Sequence, residues 1–320
     1  MNDGRKIYHF SSFKKGDVAE TLWEKIKRKH NYISGTISDN INNFTLDDCS
    51  VDVALWCPAV RYDYWIKQYK DLADHNKCTF KIFYCGQIKP PDNLINQFPS
   101  NLIYIHCDMP GITPHAEIAR RFAVNSNTKY VMDWVDDLYA YPGLLDNLIA
   151  DMQACDQETV LGPLFRPVME GQEGNRKNLL RFLNQGFNSR DQCLGFVTHL
   201  TKTATAKKIG GFDKRFMGTF CIYDYYLRIY EHEDIAWKVS DSAKIAEDKL
   251  QQFNAKHISD QYKINRRASK TYEKHDYGVL NQIWSLNLRG FTGASRENEN
   301  CFFEDEELKF TVYYSSEVRK

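Results

Sequence analysis

Between residues 50 and 165, short apolar runs alternate with segments in which apolar residues recur every three or four positions. Val51-Asp52-Val53-Ala54-Leu55-Trp56-Cys57 is the first run. Pro58 stops it, and it reads as a mostly buried strand. Residues 62–74 follow with Trp65, Tyr69 and Leu72 at helical spacing. Phe80-Lys81-Ile82-Phe83-Tyr84-Cys85, closed by Gly86, predicts a second strand, and Leu102-Ile103-Tyr104-Ile105 a third. Residues 114–123 predict a helix with Ile118, Ala119 and Phe122 on one side. Lys129-Tyr130-Val131-Met132 predicts a fourth strand that runs into an acidic loop. Residues 142–155 carry Leu144, Leu145, Leu148, Ile149 and Met152 at helical spacing, and Thr159-Val160-Leu161 predicts a fifth strand. Such alternation predicts an α/β fold, with a mostly parallel central sheet covered by helices on both faces. Ligands of such sheets bind beyond the carboxyl ends of the strands. The fourth strand carries its acids at that end.

The flanks are less regular. Residues 17–30 predict a helix with the basic run Lys25-Ile26-Lys27-Arg28-Lys29-His30, read as a solvated face, and the Asn- and Asp-rich residues 38–48 read as a linker. Residues 169–192 are polar and rich in Gly, Asn and Arg, so a mobile excursion is expected there. Residues 256–285 are rich in Tyr, His and Lys. Residues 297–307 are acidic, and 308–314 predict a late edge strand. The expected organisation is an N-terminal extension over 1–48, a single Rossmann-like domain over 49–260 with helical and loop appendages, and a C-terminal extension over 261–320 packing on it.

Composition narrows the class. With 320 residues, 42% of them hydrophobic, the chain can build a core without metal or disulfide staples. Lys and Arg number 42, as do Asp and Glu, and this zero balance argues against a protein that coats nucleic acid. It leaves a nucleic-acid acceptor open. No apolar run reaches the roughly 18 residues of a spanning helix, and residues 1–6 lead into no apolar stretch, so neither a membrane anchor nor a secretion signal is expected. Nine scattered cysteines without a CxxC pair fit buried thiols in a reducing cytoplasm. GxGxxG after a strand, the P-loop, HExxH and GxSxG are all missing.

The densest chemical signal is Trp134-Val135-Asp136-Asp137-Leu138-Tyr139 at the end of the fourth strand. Adjacent carboxylates there need water or a cation. A hard ion such as Mg2+ or Mn2+ takes one or two carboxylates and completes its shell with phosphate oxygens. On spacing alone, an exposed acidic turn and a metal site are both open readings. Asp133 adds a third carboxylate that orients rather than ligates.

Tyr130-Val131-Met132-Asp133-Trp134-Val135-Asp136-Asp137, followed by Pro142 and Leu145, resembles the metal loop of nucleotide-sugar glycosyltransferases with the GT-A fold, and of the glycosyltransferase family 2-like group in particular. Val135 stands where that pattern has its first acid. Residues 53–58 resemble the opening strand and Pro that border the nucleotide base. Ala119-Arg120 resembles the Ala-Arg pair facing the donor's pyrophosphate. Lys208-Ile209-Gly210-Gly211-Phe212-Asp213-Lys214-Arg215-Phe216 resembles the Gly-Gly-Phe-Asp loop, and Tyr223-Asp224-Tyr225-Tyr226-Leu227-Arg228 the acidic helix after it. Cys221-Ile222 stand where that helix usually opens with Glu-Asp.

The resemblance implies a metal-dependent hexosyltransferase-like enzyme. Asp137, Asp136 and His257 would hold Mn2+ or Mg2+. Pro58, Arg61, Arg120, Asp136, Gly210 and Gly211 would bind the donor, a nucleoside diphosphate sugar. A UDP-sugar is favoured, although Cys85-Gly86 replace the usual base-contacting acid. Asp224 would be the catalytic base, with Asp213 binding hydroxyls or replacing it. Trp134, Tyr139 and Tyr141 would stack on sugar. His106, His115, Lys207-Lys208 and the group Arg266, Arg267 and Lys270 are further candidates to meet donor or acceptor. The acceptor stays open among glycan, protein, lipid and modified nucleobase. Two alternatives stand beside this reading: a non-catalytic relative that binds nucleotide sugar or carbohydrate, and a sugar-phosphate nucleotidyltransferase, whose basic Gly-rich N-terminal loop is missing here.

Overall fold

The computed structural model describes residues 6–10, 50–59, 61–136, 138–165, 198–218, 220–247, 272, 275–280, 282–283, 301–304, 307–308 and 310–314. The expected alternation is present. Strand β1 is Lys6–Phe10 and β2 is Val53–Pro58. Helix α1, Tyr62–His75, then leads to β3, Phe80–Gly86. A single turn α2, Asp92–Ile95, precedes β4, Leu102–His106. Helix α3, Thr113–Val124, leads to β5, Tyr130–Asp133, and the short β6, Leu138–Ala140. Helix α4, Leu144–Gln153, is followed by β7, Thr159–Phe165. Strand β8, Leu200–Lys202, runs directly into α5, Thr203–Ile209. Helix α6, Phe220–Glu231, strand β9, Ala236–Glu247, and strand β10, Phe310–Tyr314, complete the described elements.

All ten strands form one sheet in the order β1-β10-β4-β3-β2-β5-β8-β7-β9-β6. Its centre, β4-β3-β2-β5, is parallel throughout. Its flanks are mixed: β8 is antiparallel to both β5 and β7, whereas β9 runs parallel to β7 and antiparallel to β6. Strand β10 pairs antiparallel with β4 on one side and β1 on the other. The late strand is therefore interior, and the edge expected there falls to β1. Residues 6–10 and 310–314 thus each contribute a strand to the central sheet.

Alternation along β2 divides the core. Ala54 and Trp56 point into one layer, with Ile118, Phe122, Phe212, Tyr225 and Tyr226. Val53, Leu55 and Cys57 point into the other, with Trp65, Leu72, Leu145 and Leu148. Strands buried on both faces need continuous apolar runs rather than a period of two, which is the pattern in β2 and β3. Helices α3 and α6 therefore lie on one face of the sheet, and α1 and α4 on the other. No described helix is long and apolar enough to cross a membrane. Residues 17–48, 169–192, 248–271 and 284–300, with the helix, linker and excursion expected in them, lie outside the described residues.

Candidate functional site

At the carboxyl ends of β2 and β5 the register pairs Trp56 with Asp133, and the Trp134 amide donates to the Trp56 carbonyl at 2.8 Å. The chain then turns through Asp136. That carboxylate is enclosed: it accepts from the Arg61 amide at 2.6 Å, forms an ion pair with the Arg61 guanidinium, and lies 3.5 Å from the Trp65 indole nitrogen. Helix α1 fixes the turn further. The Gln68 side-chain amide donates to the carbonyls of Leu138 and Val135, and its oxygen accepts from the Tyr84 hydroxyl at 3.0 Å. Arg61 and Asp136 are thus brought together, but as each other's partners. Asp137 and His257 lie outside the described residues, and no group of three metal-capable side chains occurs among the described ones.

Pro58 ends β2 as expected, and the chain beyond it stays tied to β3 through the Ala59 amide, which donates to the Cys85 carbonyl at 2.8 Å. Gly86 follows because there is no room for a side chain: a Cβ would lie 2.1 Å from the Ala59 carbonyl oxygen. Trp134 is a core residue, buried to 1% exposure, which corrects its expected stacking role. Tyr139 is exposed and meets Tyr141 edge-on at 5.3 Å.

Helix α3 carries the second part of the site. Glu117, Arg120 and Arg121 occupy i, i+3 and i+4 positions and so share one face. Glu117 accepts from Arg120 Nε at 3.2 Å and from Arg121 Nε at 2.6 Å. It also accepts from the Phe212 amide at 2.9 Å. Burial alone would raise this carboxyl, but Arg120 and Arg121 outweigh it and hold it at about 2. The carboxylate fills the space beside Gly211, where a Cβ would lie 2.6 Å from its oxygen. Gly210 caps α5 with φ 89°, a backbone conformation only glycine adopts without strain.

The third part is helix α6. Asp224 is fully buried and accepts from Arg228 Nε at 3.1 Å. Arg228 donates in turn to the carbonyls of Ile209 at 2.8 Å and Gly211 at 2.6 Å. Asp224 therefore positions the arginine that closes the carboxyl end of α5. A base must come within hydrogen-bond reach of an acceptor hydroxyl, and here the Asp224 carboxylate is engaged with Arg228 instead. Asp213 is equally buried and folds back on Arg215, accepting from its amide at 2.9 Å and its Nη2 at 2.8 Å. Its backbone bridges Phe302. Its carboxylate is held within the turn by Arg215.

The remaining candidates disperse. His115 is buried with Nε2 donating to the Cys107 carbonyl at 3.0 Å, and burial lowers its pKa to about 4, so it is neutral. His106 lies 3.0 Å from the Gln87 carbonyl and 3.2 Å from Asp108. Lys208 pairs with Asp234 and Glu158. Arg266, Arg267 and Lys270 lie outside the described residues.

Four residues around the site were not among those expected from the sequence: His199, Tyr226, Asp276 and Glu117. His199 precedes β8, and its Nδ1 lies 2.8 Å from Asp133 Oδ1. The Tyr226 hydroxyl donates to Asp133 Oδ2 at 3.2 Å and lies 3.3 Å from His199 Nδ1. Asp276 accepts from the amides of Met217 at 2.8 Å and Gly218 at 2.7 Å, tying the C-terminal segment to the entry of α6, and burial raises its pKa. Glu117 alone of the four had a signal, its helical spacing from two arginines.

Compared with family profiles and with curated protein sequences, the chain finds no match. Solved structures similar to it include residues 1–349 of S. aureus TarS, at TM-score 0.46 and 15% identity, with 61% of this chain matched to 60% of that one. The same TarS segment in complex with UDP-GlcNAc gives TM-score 0.43 and 16% identity over 61% of this chain and 58% of that one. A mutant of the Drosophila beta1,4-galactosyltransferase 7, in complex with manganese, UDP-Gal and xylobiose, gives TM-score 0.36 and 15% identity, covering 62% and 67% of the two chains. The match thus spans about three fifths of the TarS segment's length.

Proposed function

We propose that this chain is a glycosyltransferase that takes its sugar from a nucleoside diphosphate sugar, with a UDP-sugar the favoured donor. One observation carries the reading. The Arg120–Glu117 pair of α3 is seated under Gly211 and Phe212, so the segments that resemble the donor-phosphate arginine and the Gly-Gly-Phe-Asp loop meet through a shared buried carboxylate. Arg228 binds the same loop from α6. A diphosphate laid beyond the carboxyl ends of β2 and β5 would meet Arg120 as its cation. The loop backbone at Gly210 and Gly211 would approach the sugar without an intervening side chain.

The chemistry required is displacement of nucleoside diphosphate from the anomeric carbon by an acceptor hydroxyl. Positive charge beside the departing diphosphate lowers that barrier. Arg120 is buried beside Glu117, and its position is set before substrate arrives, which is the condition for such stabilisation to be effective. The Mn2+ or Mg2+ ion implied by the sequence resemblance would be held by Asp137 and His257, with Asp136 drawn to Arg61.

A second reading, nucleotide-sugar binding without turnover, is favoured by one feature. Asp136, Asp213 and Asp224, three of the four described aspartates of the motifs, are each paired with an arginine. A single experiment separates the readings. UDP, UDP-GlcNAc and UDP-Gal are titrated calorimetrically with Mn2+ and with chelator, and UDP release is followed in the same samples. Binding with UDP release is expected. Binding without release supports the second reading, and no binding of any of the three refutes both for UDP-sugars. Equal affinity with Mn2+ and chelator refutes metal dependence.

A further inference from the structure

Five carboxylates lie around the site on β5, its following turn, α3, the Gly-Gly-Phe-Asp loop and α6. Four are paired with arginine: Asp136 with Arg61, Glu117 with Arg120 and Arg121, Asp213 with Arg215, and Asp224 with Arg228. An arginine keeps its proton at any working pH, so these pairs hold charge in place but pass no proton on. Asp133 differs. Its partners are an imidazole and a phenol, His199 and Tyr226, both able to exchange protons. It is also the least enclosed of the five, with 9% of its side chain exposed against 2% or less for the others.

The geometry of the pair is specific. The Asp133 amide donates to the His199 carbonyl at 3.3 Å, and the His199 amide donates back to Asp133 Oδ1. The Thr198 hydroxyl donates to the Asp133 carbonyl. Backbone and side chain are thereby locked at the carboxyl end of β5, where ligands of such sheets bind. With Nδ1 held 2.8 Å from Asp133 Oδ1, the proton of the neutral ring lies on Nδ1, and Nε2 carries the lone pair. No hydrogen bond to Nε2 occurs among the described residues. The ring side chain keeps 3% exposure where Asp224 has none, so an acceptor hydroxyl must meet it at that small opening. The ionisable groups facing the ring are Asp133 from β5 and Tyr225 and Tyr226 from α6, with no lysine or arginine paired to it among the described residues.

We propose that His199 is the general base of the transfer reaction, with Asp133 as its positioning residue; this rests on the glycosyltransferase reading above. The acceptor oxygen forms its bond to the anomeric carbon. The bond from that carbon to the diphosphate oxygen breaks, and its electron pair leaves on the diphosphate. The hydroxyl proton passes to His199 Nε2, and the resulting imidazolium is stabilised by Asp133. Tyr226 holds the second carboxylate oxygen so that Asp133 keeps its aim.

The test uses the full chain, UDP and the UDP-sugar selected above, with water as the acceptor. In His199→Gln, UDP affinity is expected within twofold of wild type and UDP release reduced by roughly 10²–10⁴-fold. Asp133→Asn should reduce release while leaving UDP affinity unchanged, because an amide fixes the wrong tautomer. The acid limb of the wild-type pH–rate profile should vanish in His199→Gln, a change that a purely structural role does not produce. Release within threefold of wild type by His199→Gln that still binds UDP overturns the assignment. So does loss of UDP binding in step with release, since that marks a structural residue. A wild-type chain that binds UDP-sugar without releasing UDP overturns the base and leaves the binding reading standing. One that binds neither UDP nor UDP-sugar overturns the donor reading itself.

Discussion

Replacing Gly211 by alanine places a Cβ 2.6 Å from one Glu117 oxygen and 2.8 Å from the other. Ordinary carbon–oxygen contact is several tenths of an ångström longer, so either the carboxylate or the loop must retreat. The carboxylate is the far end of a side chain, yet it is not free to move. It holds the Phe212 amide at 2.9 Å, Arg121 at 2.6 Å and Arg120 at 3.2 Å, all in a buried setting. Retreat weakens one or two charge-assisted hydrogen bonds, each contributing about 1.5–3 kcal/mol. The expected loss is therefore about 2–4 kcal/mol, or roughly 4–16 °C in melting temperature at about 2–4 °C per kcal/mol. Backbone strain adds nothing, because it is Gly210, not Gly211, that has positive φ. Urea denaturation of wild type, Gly211→Ala, Glu117→Ala and the double variant forms a cycle. With Glu117 shortened the added methyl finds space, so its cost should fall below about 1 kcal/mol. A cost under about 0.5 kcal/mol in the native background, or the same cost in both backgrounds, would refute the account of Gly211 as the seat of Glu117.

Two further outcomes follow from the same geometry. His115 has its pKa lowered to about 4 by burial, against an ordinary 6.5. The unfolded chain therefore binds a proton that the folded chain refuses, and stability falls as pH drops from about 6.5 to about 4, by up to about 1.4 kcal/mol per pH unit. His115→Asn should remove that slope from urea curves measured at pH 7 and pH 5; an unchanged slope would show that the ring is not the group responsible. Asp224→Asn should cost about 2–4 kcal/mol, because it leaves Arg228 buried without its counter-charge. UDP release per folded molecule should stay within a few fold of wild type, whereas a loss of roughly 10²-fold or more at unchanged stability would mark Asp224 as the base.

The sequence by itself determined the parallel centre of the fold. The runs of β2, β3, β4 and β5 are apolar on both faces, and only a sheet covered on both sides buries such strands, so pattern and architecture imply one another. Helix faces followed for the same reason, since spacing along a helix fixes which side chains share a side. The tertiary structure alone decided what the acids do. Asp136 and Asp224 stand in motifs that resemble a metal loop and an acidic helix, but each lies against an arginine, and neither the enclosure nor the 75-residue separation of Arg61 from Asp136 is legible in local pattern. Strand β10 moved from edge to interior because β1, nearly the whole chain away, pairs with it. His199 gave no signal for the same reason. Its partner Asp133 is 66 residues upstream and is brought to it only by the antiparallel register of β5 and β8. Periodicity records how a segment buries its own apolar face; the identity of a charged group's partner depends on which distant strand is its neighbour.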